Sequence, residues 1–443
     1  MNVKRAKKIL GLFIILALAL PVCFATTWAA AKPSKLTIWA FHAPQVEEMK
    51  LAAPGVKKKF GVDIEVVLVP EKQFIAKYQA ALLSGVDIPD LIEVGNWEYG
   101  NSFFKIKKES EIPLVDITSY LKRSKYWKDL VHGRLGPLTW KGKIYAIPHD
   151  IHPSTLVYYE PAWKAAGVDL SKVVTWDEFI EAGKKVTKDL DGDGKTDVYA
   201  FVCPRANWDV FEFMLQEKRI WYADEKDTRI MFTDPDFIEV VLQFKRLWDS
   251  GIVVSWDWGQ NMTLFKAQKI LSVAAPDWYV GQMRSALSDM TGWRAMPLPT
   301  FPGSKIRTGV WGGSAMAISK ATKNPKLAFD IATYLYWDPE VMPKHWELTG
   351  ILPPIKSLWP MPLFHEPDPW LGGQKFGELL MELAPDIPAI FNNNHTGGAS
   401  GAMNNEFIPK LLRGEWKTEE EIKKALDAIE KDCYRKMELE GLR

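Results

Sequence analysis

An alternation of short β-rich runs with helix-patterned stretches constrains the fold of this chain more than any other feature. Residues 36–40 (LTIWA) and 62–69 (VDIEVVLV) are β-rich and enclose a stretch with apolar residues at helical spacing. Strand, helix, strand is the opening unit of a parallel sheet. Phe74, Tyr78, Ala81 and Leu82 keep helical spacing up to a stop at Gly85, and residues 90–94 (DLIEV) form a strand that ends in Gly95, Asn96 and Trp97. Residues 144–148 and 156–159 read as extended, residues 163–167 as a helix with a glycine stop, and Thr175 with Glu178 as a capping box for a helix over 176–188. Strands at 270–274 and 315–318 and a helix over 325–337 follow. Residues 418–442 read as a charged amphipathic helix with Ile422, Leu426 and Ile429 on one face. The pattern predicts an α/β protein, and 443 residues favour two domains or more.

Charge removes one class of partner. Fifty-six Lys plus Arg against 55 Asp plus Glu leave a net +1, which provides no positive field for gripping a phosphate backbone. The first residues read as an address: Lys4, Arg5, Lys7 and Lys8 precede an apolar run over 9–20, and Ala29, Ala30 and Ala31 close it. This is the pattern of a secretory signal peptide over 1–31, so a periplasmic or extracellular location is expected. Cys23 follows Leu20, Pro21 and Val22, a poor match to a lipidation site, so a lipid anchor is the second choice. Cys203 and Cys433 are 230 positions apart and are expected as two free, buried thiols.

Catalytic signatures are lacking: there is no G-x-S-x-G elbow, H-E-x-x-H, P-loop or paired C-x-x-C. A secreted glycosidase stays open because carboxylates are plentiful, although no pair stands out. His149, Asp150 and His152 have the chemistry of zinc ligands, but no third histidine lies nearby in sequence, and a polar connection between lobes is preferred. Asp189, Asp191, Asp193, Lys195 and Asp197 resemble the start of an EF-hand-type loop, with Ala200 where a bidentate glutamate would stand. A structural calcium ion and a solvated acidic turn are both open there. The 20 tryptophans exceed what a core needs. Trp248, Trp337 and Trp346 lie in helical stretches and suit packing, whereas Trp97, Trp208, Trp278 and Trp311 sit beside polar or glycine residues at strand ends. Strand carboxyl ends are where open α/β sheets bind ligands, and flat rings with a polar fringe match the two kinds of surface on a pyranose.

Several segments together resemble the extracellular solute-binding proteins of ABC importers, in the sugar-binding group that includes maltose-binding protein. They are KLTIWAFH (35–42), LLSGVDIPDLIEVG (82–95), GKIYAIPHD with LVYYEPAWKAAGVD, TWDEFIEAGKKVT (175–187), AAPDWY ending at Tyr279, MPLPTFPG, GGSAMAISKATKNPKLAFDIATYL and TGILPP, in family order across nearly all of the chain. The resemblance implies a two-lobe, type II periplasmic-binding-protein-like α/β fold, each lobe a doubly wound sheet, with the ligand cleft between lobes. It implies lobe 1 over 32–148 plus 303–355, lobe 2 over 149–302 plus 356–443, and crossings near 147–155, 300–309 and 350–358. The implied ligand contacts are Phe41, His42 and Gln45, then Glu93, Asn96 and Trp97, the crossing residues His149, Asp150 and His152, then Arg205, Asn207 and Trp208, with Asp277, Trp278, Trp311 and Gly312. Residues 392–395 align poorly.

The same resemblance implies a non-enzymatic receptor that takes a sugar or polyol by hinge closure and delivers it to the membrane subunits of a permease, and a receptor that opens and closes in this way can work as a monomer. His42 and Ala43 replace an aspartate and a lysine of maltose-type relatives, so the class of ligand carries over and the particular sugar does not. His42, His149, His152 and Arg205 keep an anionic or phosphorylated ligand open as an alternative.

Overall fold

The computed structural model describes residues 33–106, 108–203, 210–391 and 394–441, so the segment 1–31, Arg205, Asn207, Trp208 and residues 392–393 lie outside the described residues. Twelve strands are present among these: β1 Lys35–Ala40, β2 Asp63–Leu68, β3 Leu91–Gly95, β4 Thr139–Trp140, β5 Lys143–Ile144, β6 Ala146–Pro148, β7 Ser154–Tyr159, β8 Phe201–Cys203, β9 Val253–Ser255, β10 Ser272–Pro276, β11 Trp293–Pro297 and β12 Ser314–Ile318. They build two five-stranded sheets, ordered β2-β1-β3-β12-β6 and β9-β8-β10-β7-β11, and a small β4-β5 hairpin.

The two large sheets follow one plan. In the first, β2, β1 and β3 are parallel and β12 and β6 add antiparallel pairings. In the second, β9, β8 and β10 are parallel, β7 runs antiparallel to β10, and β11 antiparallel to β7. The odd strand in each sheet, β12 or β7, is the first one reached after the chain arrives from the other sheet. That exchange is why neither half is continuous in sequence.

The central strands β3, β10 and β12 are buried on both faces, which explains why they read as apolar runs, whereas the edge strand β2 has no buried residue. In β1, Leu36, Ile38 and Ala40 pack under the helices Ala43–Phe60 and Pro325–Trp337, while Trp39 packs on the opposite face with Phe74 and Tyr78. In β10, Ala274 joins the aromatic core of Phe179, Phe201 and Phe211, while Val273 and Ala275 pack with Trp293 and Leu371. The Thr175–Glu178 capping box opens the helix Trp176–Val186, and a second box, Thr418–Glu421, opens Glu419–Glu440. Cys203 and Cys433 are buried, and no disulfide joins them.

Three segments of chain pass side by side between the sheets. Ile151 N donates to Leu352 O, and Ser154 N to Gly309 O, which holds the segments around 151, 309 and 352 together. The second passage centres on 309–313, a few residues later than the family pattern placed it. The reason is local: Leu298 N bonds to Arg307 O, and the Arg307 guanidinium reaches the carbonyls of Leu298, Val173 and Pro297, which keeps 298–307 folded on the second sheet.

Candidate functional site

Four parallel strands end at the junction of the two sheets, and each delivers aromatic or polar groups there. Beyond β1 come Phe41 and His42, beyond β3 Asn96 and Trp97, beyond β9 Trp256 and Trp258, and beyond β10 Asp277 and Trp278 at the start of the helix Asp277–Ala286. The passage at 309–313 adds Trp311 and Gly312. Phe41 and Trp97 meet edge to face, with centroids 6.1 Å apart.

On the second sheet's side the rings form a cluster. Trp311 lies 5.1 Å from Trp278, 5.6 Å from Trp256 and 5.8 Å from Trp258 between ring centroids. Trp258 and Trp278 are near-parallel, 19° apart at 6.3 Å, with Tyr279 edge-on to both. Trp258 is 60% exposed, a costly position for the largest apolar side chain unless something covers it. Trp256 and Trp258 are not among the contacts expected from the sequence. The short strand β9 was the missing signal, because Trp258 after Asp257 follows the same strand-end pattern as Trp278 after Asp277.

Behind the aromatic surface runs a buried charged network. Arg134 Nη2 sits 2.6 Å from Asp150 Oδ1, and Asp150 Oδ2 accepts from Ser314 N and lies 3.1 Å from His152 Nε2. His152 Nδ1 lies 2.5 Å from Asp277 Oδ1, and the other Asp277 oxygen accepts from Leu352 N. The network therefore links all three passages to the first turn of the helix that carries Trp278. His152 holds φ +51°, a left-handed conformation in a residue other than glycine, which turns its ring between the two aspartates. Burial alone would raise the Asp150 carboxyl, but His152 and Arg134 hold it well below the usual range. Burial would lower His152, yet Asp150 and Asp277 push it up to about 9.

Of the expected ligand contacts, Phe41, His42, Trp97, Trp278 and Gly312 are partly exposed, Trp311 is packed beneath Trp258, and Gln45, Glu93, Asn96, His149, Asp150, His152 and Asp277 are at most 5% exposed. Glu93 accepts from the Tyr336 hydroxyl at 2.5 Å, and burial pushes its carboxyl up to about 7 against the pull of His149 and Tyr336. Gln45 donates to Ser314 Oγ at 3.0 Å. His42 is lowered, first by burial and then by the nearby charges of His149 and His152. The carboxylates of Asp189, Asp191 and Asp197 offer oxygens within 4.8 Å of one another on the surface, where Asp189 accepts from Gly192 N and Gly194 N.

Two like-ordered sheets joined by three passages, with rings and polar groups gathered at their strand ends, define a two-lobe α/β binding-protein fold. The chain belongs to the bacterial extracellular solute-binding protein family, whose profile matches residues 51–367. It is 23% identical to the arabinooligosaccharide-binding protein of Halalkalibacterium halodurans, over 90% of this chain and 89% of that one. It is 24% identical to the protein of the same description in Bacillus subtilis, over 95% of this chain and 98% of that one. Its fold matches the sugar-binding protein MalE of Xanthomonas citri with a TM-score of 0.75 at 17% identity, covering 92% of this chain and all of that one. Among the described residues no helix is long and apolar enough to cross a membrane.

Proposed function

We propose that this protein is the capture component of an ABC importer, that it binds an oligosaccharide between its lobes, and that it hands the sugar unaltered to the membrane subunits. The observation that carries the reading is the indole cluster of Trp256, Trp258, Trp278 and Trp311, whose outermost ring is exposed at the strand ends. Stacking on such rings suits the C–H faces of sugars, and the side chains of His42 and neighbouring groups suit their hydroxyls. The names of the relatives support the same class: two are described as arabinooligosaccharide-binding, and solved structures of like fold are described in complex with maltotetraose and with β-1,6-galactobiose.

The buried ionic groups are read as the frame rather than the contact surface. Arg134, His149 and His152 each have a carboxylate within 3.6 Å, so none of them is a spare cation for an anionic ligand. Ligand contacts are accordingly assigned to Phe41, His42, Trp97, Trp258, Trp278 and Gly312. Closure follows as a population shift, since a ligand that touches both lobes favours the state in which both are near.

A thermal-shift panel of arabino-oligosaccharides, maltodextrins, polyols and sugar phosphates tests the reading. A neutral oligosaccharide is expected to raise the melting temperature, because binding to the native state alone stabilises it. A rise with sugar phosphates only would replace it with the anionic reading, and recovery of hydrolysed sugar would replace it with the glycosidase. We further propose that the loop of Asp189, Asp191, Asp193, Lys195 and Asp197 takes a structural calcium ion, read out as a calcium-dependent rise in melting temperature that Asp191→Asn removes.

A further inference from the structure

A second set of buried donors lies beside the passages and has no part in the aromatic surface. Glu48 comes from the helix Ala43–Phe60, His345 from Met342–Thr349, and His149 from the passage after β6. The three side chains are at most 3% exposed, and one ligand atom from each lies within 4.8 Å of the other two.

Buried polar atoms ordinarily have partners. Here Glu48 Oε2 and His149 Nε2 face each other at 3.6 Å, and neither makes a hydrogen bond. His345 adds a second mismatch. Its Nε2 is 3.0 Å from the Ile351 carbonyl, which can only accept, so that nitrogen carries a proton. A neutral His345 then turns the lone pair of Nδ1 toward Glu48 Oε1 at 2.8 Å, acceptor against acceptor. The arrangement calls for positive charge among these atoms, either as protons on the rings or as one cation shared by all three residues.

At the gap between His149 and Glu48 distance favours the shared cation, whereas the 2.8 Å contact of His345 Nδ1 with Glu48 Oε1 fits a proton on the ring as well. A charge-assisted N–H···O bond closes to about 2.8 Å, well short of the gap between His149 and Glu48. Donors at about 2.1 Å from a tetrahedral zinc stand roughly 3.4 Å apart, close to that gap. Two imidazoles and a carboxylate are a zinc-type donor set. The Ile351 carbonyl on the far nitrogen of His345 is the outer partner that a metal-bound imidazole ordinarily has.

We propose that Glu48, His149 and His345 together bind one divalent transition metal of the zinc class, which fastens the first passage to two helices of the first lobe. The ion is structural, since the site is closed to solvent, and three protein donors leave one position for a water molecule.

The test uses the full chain, unfolded in guanidinium with EDTA and refolded with zinc chloride, with cobalt chloride or with no metal. After passage over a chelating resin, metal content is measured by mass spectrometry, cobalt geometry by visible absorption, and stability by thermal unfolding. About one zinc per chain, tetrahedral cobalt bands and a higher melting temperature with zinc are expected. All three are expected to disappear in Glu48→Gln and His345→Gln and to persist in His365→Gln, whose partly exposed ring pairs with Glu378 instead. Retention of less than about a tenth of an equivalent by the unmodified chain, or unchanged retention in a folded His345→Gln variant, overturns the proposal in favour of protons alone. The unmodified chain decides the matter even where a variant does not fold, and sugar binding does not enter the readout.

Discussion

Trp278 donates its indole N–H to the backbone carbonyl of Trp311 across 3.2 Å. The bond fastens the aromatic cluster of the second lobe to the passage that leads back to the first. Next to it, a Cβ on Gly312 would stand 3.6 Å from Trp278 Nε1, so the backbone there runs close under the ring. A ligand resting on Trp278 would therefore lie against the connecting segments as well as the lobe.

Trp278→Ala is expected to weaken oligosaccharide binding by about 2 kcal/mol, roughly thirty-fold, because a stacked indole at the centre of a site is a typical hot spot. Its ring is only partly buried and loses one hydrogen bond, so the stability change is expected near 1 kcal/mol. Calorimetric titration beside thermal unfolding separates the two effects, and equal affinity would remove Trp278 from the site.

His152 is a buried cation between two carboxylates, and its pKa rises from 6.5 to about 9 in the fold. The folded state keeps a proton that the unfolded chain releases above about pH 6.5, so this stabilisation is full below that pH and is lost toward pH 9. Asp277→Asn removes one of the two carboxylates and is expected to cost about 3 kcal/mol at pH 6. It is also expected to flatten the alkaline decline. Guanidinium unfolding at a series of pH values measures both, and an unchanged decline in the variant would assign it to other groups.

Gly313 has φ +101°, and a Cβ there would stand 2.0 Å from Arg134 Nη2 and 2.7 Å from Asp150 Oδ1. Gly313→Ala is expected to destabilise by more than about 2 kcal/mol, since it adds backbone strain and splits a buried ion pair. Gly303→Ala, also at positive φ but in open space, is expected to show the smaller loss of backbone strain alone. Similar losses in the two variants would mean that the Arg134–Asp150 contact is not strained by the substitution.

Local signals carried much of the fold. The helix expected over 325–337 is present as Pro325–Trp337, and the Thr175–Glu178 box caps the helix it was expected to open. These features rest on contacts within a few residues, which sequence records directly. Trp337 is fully buried, with its N–H on Pro148 O, as a packing residue should be. The site was legible only in part. Trp278 stands beside a recognisable strand, but Trp258 follows a three-residue strand too short to leave a period. Arg134, in a short 3-10 turn, gives no warning that it is 1% exposed against Asp150. His345 is nearly 200 positions from His149 in sequence, and only the packing of the helix Met342–Thr349 brings their rings to 4.8 Å.

Trp258 offers the most direct measurement, because a ring 60% exposed contributes little to folding. Arabino-oligosaccharides and maltodextrins are titrated calorimetrically into the unmodified chain and into Trp258→Ala. Capture of a sugar on the indole cluster predicts micromolar or tighter binding of at least one neutral oligosaccharide, about −8 kcal/mol, and at least a tenfold loss in the variant with an unchanged melting temperature. Binding that is absent for every neutral oligosaccharide, or that is as tight in the variant, would contradict it.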